Sequence, residues 1–232
     1  MGRSLSRLQQ FEGKATILEG DFEDDTFLQG AFAKASRVFL TIPNESLLNP
    51  VATAARLGKL LAGSPVRHIV NISNCILKKA GAPTRLVAME QELNKLPGVH
   101  IKHLRCANFF ENLNWGLHTP YLPDLKLPYI SSYEVAHVAA ELLLNPAFEG
   151  KTVDVLLGAQ DYSMAELAEM AGEKYKQLPY TPANEYFYRP FNEGDFEVEQ
   201  RTDANTSRFS DPKFSLAYFL EYELVRQPVQ AV

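Results

Sequence analysis

The sequence is poor in the features that mark extracellular, membrane-spanning and nucleic-acid-binding proteins. Its 232 residues include two cysteines, Cys75 and Cys106, too few for a disulfide framework and in keeping with a reducing compartment. No apolar run approaches the roughly eighteen residues of a membrane span, and the N-terminus lacks the apolar core of a signal peptide. The formal net charge is -5 and no predicted element carries a Lys/Arg cluster. We therefore expect a cytoplasmic protein with no membrane partner and no direct nucleic-acid partner.

Motifs of common nucleotide, catalytic and metal sites are also missing. None of the 13 glycines lies two residues from another, so there is no G-x-G-x-x-G loop to hold a pyrophosphate. No tyrosine lies four residues before a lysine, a pair that many short-chain reductases use for proton transfer, and no G-x-S-x-G elbow is present. His100 and His103 lie three apart on a predicted strand and so point to opposite faces. We favour one packed and one exposed histidine over a metal site.

What the sequence does contain is a strand–helix–strand pattern between residues 15 and 44. Residues 15–18 form an apolar run, Asp24 and Asp25 offer caps for a helix that starts near Thr26, and residues 38–42 form a second apolar run. This is the size of a βαβ unit, whose crossover makes the two strands parallel. Ligands of parallel sheets bind outside the carboxyl ends of the strands. The pattern places two segments there: Gly20-Asp21-Phe22 and Thr41-Ile42-Pro43-Asn44.

Strands and helices alternate through most of the remaining chain. We predict strands over residues 66–72, 99–104, 129–131 and 152–157, and helices over residues 50–61 and 83–96. Capping-box pairs at Ser131/Glu134 and Ser163/Glu166 open two further helices, and a last helix follows residue 211. The final sixty residues or so are aromatic and acidic with irregular periodicity. The alternation predicts an α/β fold, a Rossmann-like parallel sheet with helices on both faces.

Several polar and aromatic residues admit two interpretations each. Asp21 could contact a nucleotide, but closing a turn is favoured on spacing alone. Ser73 and Asn74 end a predicted strand, where capping the backbone and contacting a ligand are equally supported. Glu90 fits a solvated helix position, and Arg105 fits pairing with a nearby carboxylate. Packing of a C-terminal lobe is favoured over lining of an apolar pocket for five aromatic residues: Tyr180, Tyr186, Phe187, Tyr188 and Phe191.

Four segments, taken in order, resemble the NmrA-like group of atypical short-chain dehydrogenase/reductases. They are GDFEDDTFLQGAFAKASRVFLTIPN, HIVNISN, LRCANFFENL and YISSYEVAHVAAELLLNPAFEGKTVDVLLGAQDYSMAELAEMAG, and the resemblance runs from about residue 15 to residue 172. It implies an incomplete NAD(P)-binding Rossmann-like domain over residues 1–150. A smaller C-terminal substrate or interaction lobe, interleaved with the first, covers residues 151–232. Some members of the group reduce quinones or other carbonyl compounds, and others are regulators that bind the nucleotide and a partner protein without turnover.

The resemblance also implies where NADP or NAD would lie. Arg3 matches the basic residue that favours NADP by meeting its 2′-phosphate. Asp21 and Phe22 would flank the adenine, and Thr41, Ile42, Pro43 and Asn44 would approach the ribose and the pyrophosphate-to-nicotinamide side. Ser73 and Asn74 would lie by the nicotinamide, and Asn108 and Phe109 near its carboxamide or the substrate. No catalytic residue and no metal ligand is implied.

The sequence departs from the family pattern in three places. In the family a strand, the glycine-rich loop, a helix and a second strand precede the Gly20-Asp21 turn, whereas about twenty residues precede it here. We therefore expect an N-terminally truncated chain in which the sheet either keeps an open edge or is filled by the basic N-terminal segment. Leu86 stands where the family carries a lysine, and Cys106 replaces a proline, which leaves a thiol near the site.

Two functions follow from the resemblance and these departures. The first is an NADP-dependent reductase of a quinone or small carbonyl compound, in the full-length form of the protein. The alternative is a non-catalytic nucleotide-sensing or protein-interaction regulator that has lost cofactor binding. Losing several charge-assisted phosphate hydrogen bonds, each worth roughly 1.5–3 kcal/mol, would lower dinucleotide affinity by many decades. The expected partners are a small-molecule substrate or a regulatory protein, and the oligomeric state is left open.

Overall fold

The computed structural model describes residues 2–207 and 211–225. The strands are β1 (Arg37–Leu40), β2 (His68–Asn74), β3 (Ile76–Lys79), β4 (Ala82–Pro83), β5 (His100–Cys106), β6 (Asn108–Phe109), β7 (Lys126–Ile130), β8 (Lys151–Leu156), β9 (Asp161–Ser163) and β10 (Phe196–Val198). The α-helices are α1 (Leu5–Leu8), α2 (Asp25–Phe32), α3 (Pro50–Leu61), α4 (Arg85–Leu93), α5 (Ser132–Leu144), α6 (Met164–Met170), α7 (Glu185–Asn192) and α8 (Leu216–Tyr222). Short 3-10 helices cover Gln9–Phe11, Ser46–Leu48, Phe110–Trp115 and Pro212–Phe214.

The centre of the fold is a parallel sheet of order β1-β2-β5-β8 with helices on both faces. Ile69 of β2 and Ile101 of β5 pack into a core formed with α2, α3 and α4. Val70, the next residue of β2, and Leu104, three residues along β5, point the other way, into a core shared with α5 and the C-terminal elements. Adjacent residues of a strand face opposite sides of the sheet, so these strands are apolar on both faces. The predicted Rossmann-like α/β fold is confirmed.

Local capping signals set the starts of several helices. The Asn49 side chain accepts a hydrogen bond from the backbone N–H of Ala52 (3.1 Å), and Pro50 occupies the first helical position of α3. Ser163 and Glu166 form the predicted capping box of α6. The capping box predicted at Ser131 and Glu134 is only half formed, because the contact expected from the Glu134 side chain is missing. Ser131 caps α5, but Glu134 is buried and does not reach back to the cap.

The strand predicted over residues 15–18 is wrong. In its place a single bridge joins Gly2 to Glu19, and among the side chains described between residues 2 and 19 none is buried. A strand requires a neighbour to receive its backbone hydrogen bonds, and within the described residues no strand pairs with the outer edge of β1. Of the two arrangements expected for this edge, the open one is observed and filling by the N-terminal segment is not.

Two small sheets lie where the chain leaves the carboxyl ends of the central strands. One has the order β10-β3-β4, with β3 following β2 after one residue. The other has the order β6-β7-β9, with β6 following β5 after one residue. Helix α7 and strand β10 come from the stretch in which the sequence shows no clear period. None of the helices in the described part of the chain is long and apolar enough to cross a membrane.

Candidate functional site

A cleft of about 420 Å³ lies beyond the carboxyl ends of the central strands. One wall carries three asparagines that follow three adjacent parallel strands: Asn44 after β1, Asn74 at the end of β2 and Asn108 just past β5. The facing wall carries aromatic side chains from the C-terminal part of the chain, among them Phe187 and Phe191 of α7. The fold therefore gathers amide groups and aromatic rings around one opening.

The asparagines present hydrogen-bonding groups to the cleft. Asn74 Oδ1 accepts the backbone N–H of Ile76 (2.9 Å), which fixes the side chain, and its Nδ2 makes no hydrogen bond within the described chain. Asn108 is held the opposite way round, because its Nδ2 donates to the carbonyl of Pro128 (3.2 Å). An amide carries both donors and acceptors, so a fixed donor of Asn74 and a fixed acceptor of Asn108 remain for a ligand.

The predicted contact residues next to these asparagines lie outside the cleft. Ser73 is buried and its Oγ lacks a hydrogen-bond partner in the described structure. Successive strand residues face opposite sides, so Ser73 points away from the face of Asn74. Phe109 is half-buried against the core. The structure thus brings together Asn44, Asn74 and Asn108.

The residues predicted at the adenine end are engaged with their own neighbours. Asp21 closes a turn, with its Oδ1 accepting the backbone N–H of Glu23 (3.0 Å), so the turn interpretation is confirmed. Phe22 is half-buried against the core, and the guanidinium of Arg56 lies 5.1 Å from the centre of its ring. Arg56 also donates to the carbonyl of Phe22 and pairs with Asp25 (3.0 Å).

The remaining predicted contacts are spread over the surface and the core. Ile42 is buried in the core beside β1, and Thr41 is exposed. The carbonyl of Pro43 accepts the N–H groups of Ser46 and Leu47, which start a 3-10 helix. Arg3 is exposed in the N-terminal segment. None of the four predicted contacts Arg3, Thr41, Ile42 and Pro43 lines the cleft at Asn44.

The sequence has no G-x-G-x-x-G loop for the pyrophosphate of a dinucleotide, and the crowded glycines of the structure do not replace it. A pyrophosphate is normally held by backbone N–H groups of a glycine turn that leads into a helix, where a side chain would block the approach. Three glycines here lack free room for a Cβ atom, but the protein itself fills the space, and at Gly58 the filling group is a Leu96 methyl at 2.9 Å. The Phe27 ring would lie 2.3 Å from a Cβ at Gly20, and the Tyr129 carbonyl oxygen 2.0 Å from one at Gly158. None of the three glycines forms an open cradle for phosphate.

Lysine 79 is a cleft residue that the sequence did not reveal. Its ammonium group lies 4.1 Å from the centre of the Phe187 ring, and burial, together with the charge of Arg85, lowers its pKa. Tyr186, Phe187 and Phe191 line the cleft as well, so the pocket interpretation is confirmed for these three residues. The packing interpretation is confirmed for Phe191 and Tyr188, which belong to the core or pack against it. A weak signal was present, because Lys78 and Lys79 end a short apolar run directly after β2.

An ion network joins the sheet to the wall of the cleft. Arg105 of β5 donates to buried Glu90 (2.6–3.2 Å) and to Glu199 (2.7 Å). The hydrogen bonds to Glu90 hold the pKa of the Arg105 guanidinium above its ordinary value. The predicted pairing of Arg105 is confirmed, whereas the prediction that Glu90 is solvated is wrong. The backbone N–H of Glu199 also reaches the carbonyl of Cys75 (2.9 Å).

The two thiols are buried below the cleft. Burial raises the pKa of Cys75 to about 12 and raises that of Cys106 further. Thiolates are the reactive form of cysteine, so neither side chain is a nucleophile at neutral pH. Among the described residues, no group of three or more His, Cys, Asp and Glu side chains is arranged to hold a metal ion.

No protein-family model and no curated protein matches the chain by sequence. Solved structures do match it. Triphenylmethane reductase from Citrobacter sp. is 17% identical, with 87% of this chain and 81% of that chain covered and a TM-score of 0.68. NADPH-dependent quinone oxidoreductase QOR2 from Escherichia coli, complexed with NADPH, is 18% identical over 78% and 69%, with a TM-score of 0.63. NmrA, a negative transcriptional regulator in complex with NAD, is 15% identical over 82% and 71%, with a TM-score of 0.61. Likeness at these identities is likeness of fold, and this chain has a Rossmann-type α/β fold similar to those of NmrA and of these two reductases.

Proposed function

We propose that the cleft binds the nicotinamide end of NAD(P)H beside a quinone or other small carbonyl compound, and that the protein is a reductase. The observation that carries this proposal is the convergence of Asn44, Asn74 and Asn108 where three parallel strands end, opposite an aromatic wall. Ligands of open parallel sheets bind at this position. Similar folds described as a quinone oxidoreductase and a triphenylmethane reductase, with NADPH and NADP(H) respectively, support it.

The asparagines suit the carboxamide of nicotinamide. The free donor of Asn74 matches the carboxamide oxygen, and the free acceptor of Asn108 matches its NH₂ group. Asn44, on the same wall after β1, would lie toward the ribose. These residues would bind and orient the ring. Contacts of the adenine end with Arg3 and Asp21 remain a prediction.

The test compares two reduced ligands, NADPH and nicotinamide mononucleotide (NMNH), by isothermal titration calorimetry. Because the described residues form no pyrophosphate cradle, we expect the two dissociation constants to agree within about threefold, as interactions confined to the shared half require. Asn74→Ala and Asn108→Ala should each weaken NMNH binding about tenfold, the worth of one net hydrogen bond. Gln29→Ala, on the exposed face of α2, is the matched control. Failure of both ligands to bind in the millimolar range would refute the proposal.

A regulator that senses the nucleotide without turnover is the second candidate. The lack of a G-x-G-x-x-G loop in the sequence favours it, since weak binding of the nucleotide suits a sensor of concentration better than an enzyme. Loss of NADPH or NMNH absorbance in the presence of a soluble quinone separates the two candidates. Turnover that falls in Asn74→Ala supports the reductase. Binding without turnover, over a panel of quinones and aldehydes, supports the regulator.

A further inference from the structure

The two lysines that end strand β3 have different surroundings. Lys78 pairs with Glu197 of β10 (2.7 Å) and is exposed. Lys79 points to the other side of the strand, as alternation requires, and its ammonium group faces aromatic rings of α7. The distances from Nζ to the ring centres are 4.1 Å for Phe187, 5.6 Å for Phe191 and 5.9 Å for Tyr186. The strand thus directs one lysine to solvent and the other into the cleft.

The lining of the cleft has an uneven charge. Lys79 and Arg85 are its cationic groups, and no aspartate or glutamate is among its lining residues. Within the described part of the chain, no ion pair includes either of these two side chains. A half-buried cation without a carboxylate is costly. The Lys79 ammonium donates a long hydrogen bond to the carbonyl of Phe187 (3.5 Å), and this bond and the aromatic faces compensate only in part. An anionic ligand would complete this site.

The shape of the wall adds a second requirement. Phe187 and Tyr186 remain 42% and 69% exposed, so their rings are open to the solvent beside the Lys79 ammonium. Exposed rings next to a cation favour a flat, conjugated ligand that stacks on them while its charged oxygen meets the ammonium group.

We propose that Lys79 and Arg85 bind the carboxylate of a planar aromatic small molecule whose ring lies against Phe187. This assignment names the substrate class of the cleft, and it rests on the proposed function in placing substrate there. The assignment differs from the proposed function in the ligand it concerns. That ligand is recognised by its charge and its flat ring, independently of nicotinamide.

A pair of isosteric probes tests the proposal on the full chain. 2-Naphthoate carries the carboxylate, and 2-naphthamide has nearly the same shape without the charge. We expect wild-type protein to bind 2-naphthoate about tenfold tighter than 2-naphthamide, as one charge-assisted hydrogen bond to an ammonium requires. Lys79→Met should remove most of this preference while leaving the affinity for 2-naphthamide unchanged, which also shows that the variant is folded. Lys78→Met is the matched control and should keep the preference.

Arg85→Met gives an independent reading, because Arg85 is exposed at the start of α4 and its replacement leaves the core intact. It should lower 2-naphthoate affinity several-fold and spare 2-naphthamide. Equal binding of the two probes by the wild-type protein would overturn the proposal, as would a preference that persists in both Lys79→Met and Arg85→Met. If NADPH and NMNH fail to bind while the charge preference holds, the proposed function fails, and the cleft is a binding site for a planar carboxylate that is not a reductase substrate.

Discussion

Acidification should destabilise this fold through one buried histidine, His103 in the middle of β5. The side chain is fully buried, with Nδ1 3.1 Å from the Asn71 amide nitrogen and Nε2 3.0 Å from the Asn94 amide oxygen. Asn94 Oδ1 can only accept and Asn71 Nδ2 can only donate, so these contacts suit a neutral ring with its proton on Nε2. A second proton on Nδ1 would face the donor of Asn71.

The size of the effect follows from the two pKa values. Burial lowers the pKa of His103 from 6.5 to about 4, against an opposing contribution from Glu90. As pH falls, the unfolded chain therefore takes up the proton first, and stability is lost between pH 6.5 and about pH 4. Linkage gives a loss of about 2 kcal/mol on going from pH 7.5 to pH 5. The direction is the reverse of that for Glu134, whose pKa burial raises and which therefore disfavours folding as pH rises.

Urea unfolding followed by circular dichroism at the two pH values measures this loss. His103→Gln removes the titrating ring and keeps an amide that can meet Asn71 and Asn94, so its loss between pH 7.5 and pH 5 should be smaller than that of wild type by about 2 kcal/mol. The matched control is His137→Gln on the exposed face of α5. An equal loss in wild type and His103→Gln would show that the imidazole takes up its proton within the fold and would refute the reasoning.

Two further predictions concern the ion network and the N-terminal segment. Glu90→Gln should destabilise the fold by about 3 kcal/mol in urea, because it breaks a buried pair with Arg105. Glu197→Gln, which breaks an exposed pair with Lys78, should cost less than about 0.5 kcal/mol, and equal costs would contradict the role of burial. In hydrogen exchange, amides of residues 15–18 should exchange fast while that of Ile69 is strongly protected, since only the latter lies inside a paired strand. Comparable protection at both places would mean that residues 15–18 pair as a strand after all.

Elements with local signals were predictable, and elements that depend on distant partners were not. The capping residue Asn49 and the proline that follows it predict the start of α3, and that helix begins where expected. Residues 15–18 carry as good a strand pattern as β1, but a strand exists only when another strand lies beside it. The same limit applies to Glu134, whose sequence context matches that of Glu166. Only burial of its side chain, a property of the tertiary structure, separates the two.

The residues of the candidate site likewise fall into those that local sequence predicts and those that depend on distant partners. The three cleft asparagines were predictable because the carboxyl ends of parallel strands must lie together. Lys79 was not, since its direction depends on β3 pairing with β10, more than a hundred residues later, where Lys79 lies opposite Phe196. The aromatic residues around it belong to α7, which carries Pro190 in its interior, a residue that argues against a helix in the sequence.

The position of Lys79 depends in turn on residues that do not touch the cleft. Strand β10 holds β3 in place, and Glu199 follows β10 directly. Glu199 is bound twice to the central sheet, through its carboxylate to Arg105 and through its backbone N–H to the carbonyl of Cys75. Arg105 lies near the carboxyl end of β5, two residues after His103 and three before Asn108. The buried network therefore connects the strand ends that carry the amides to the wall that carries the cation. A ligand that meets both walls would be sensitive to this network, because the network sets the distance between them.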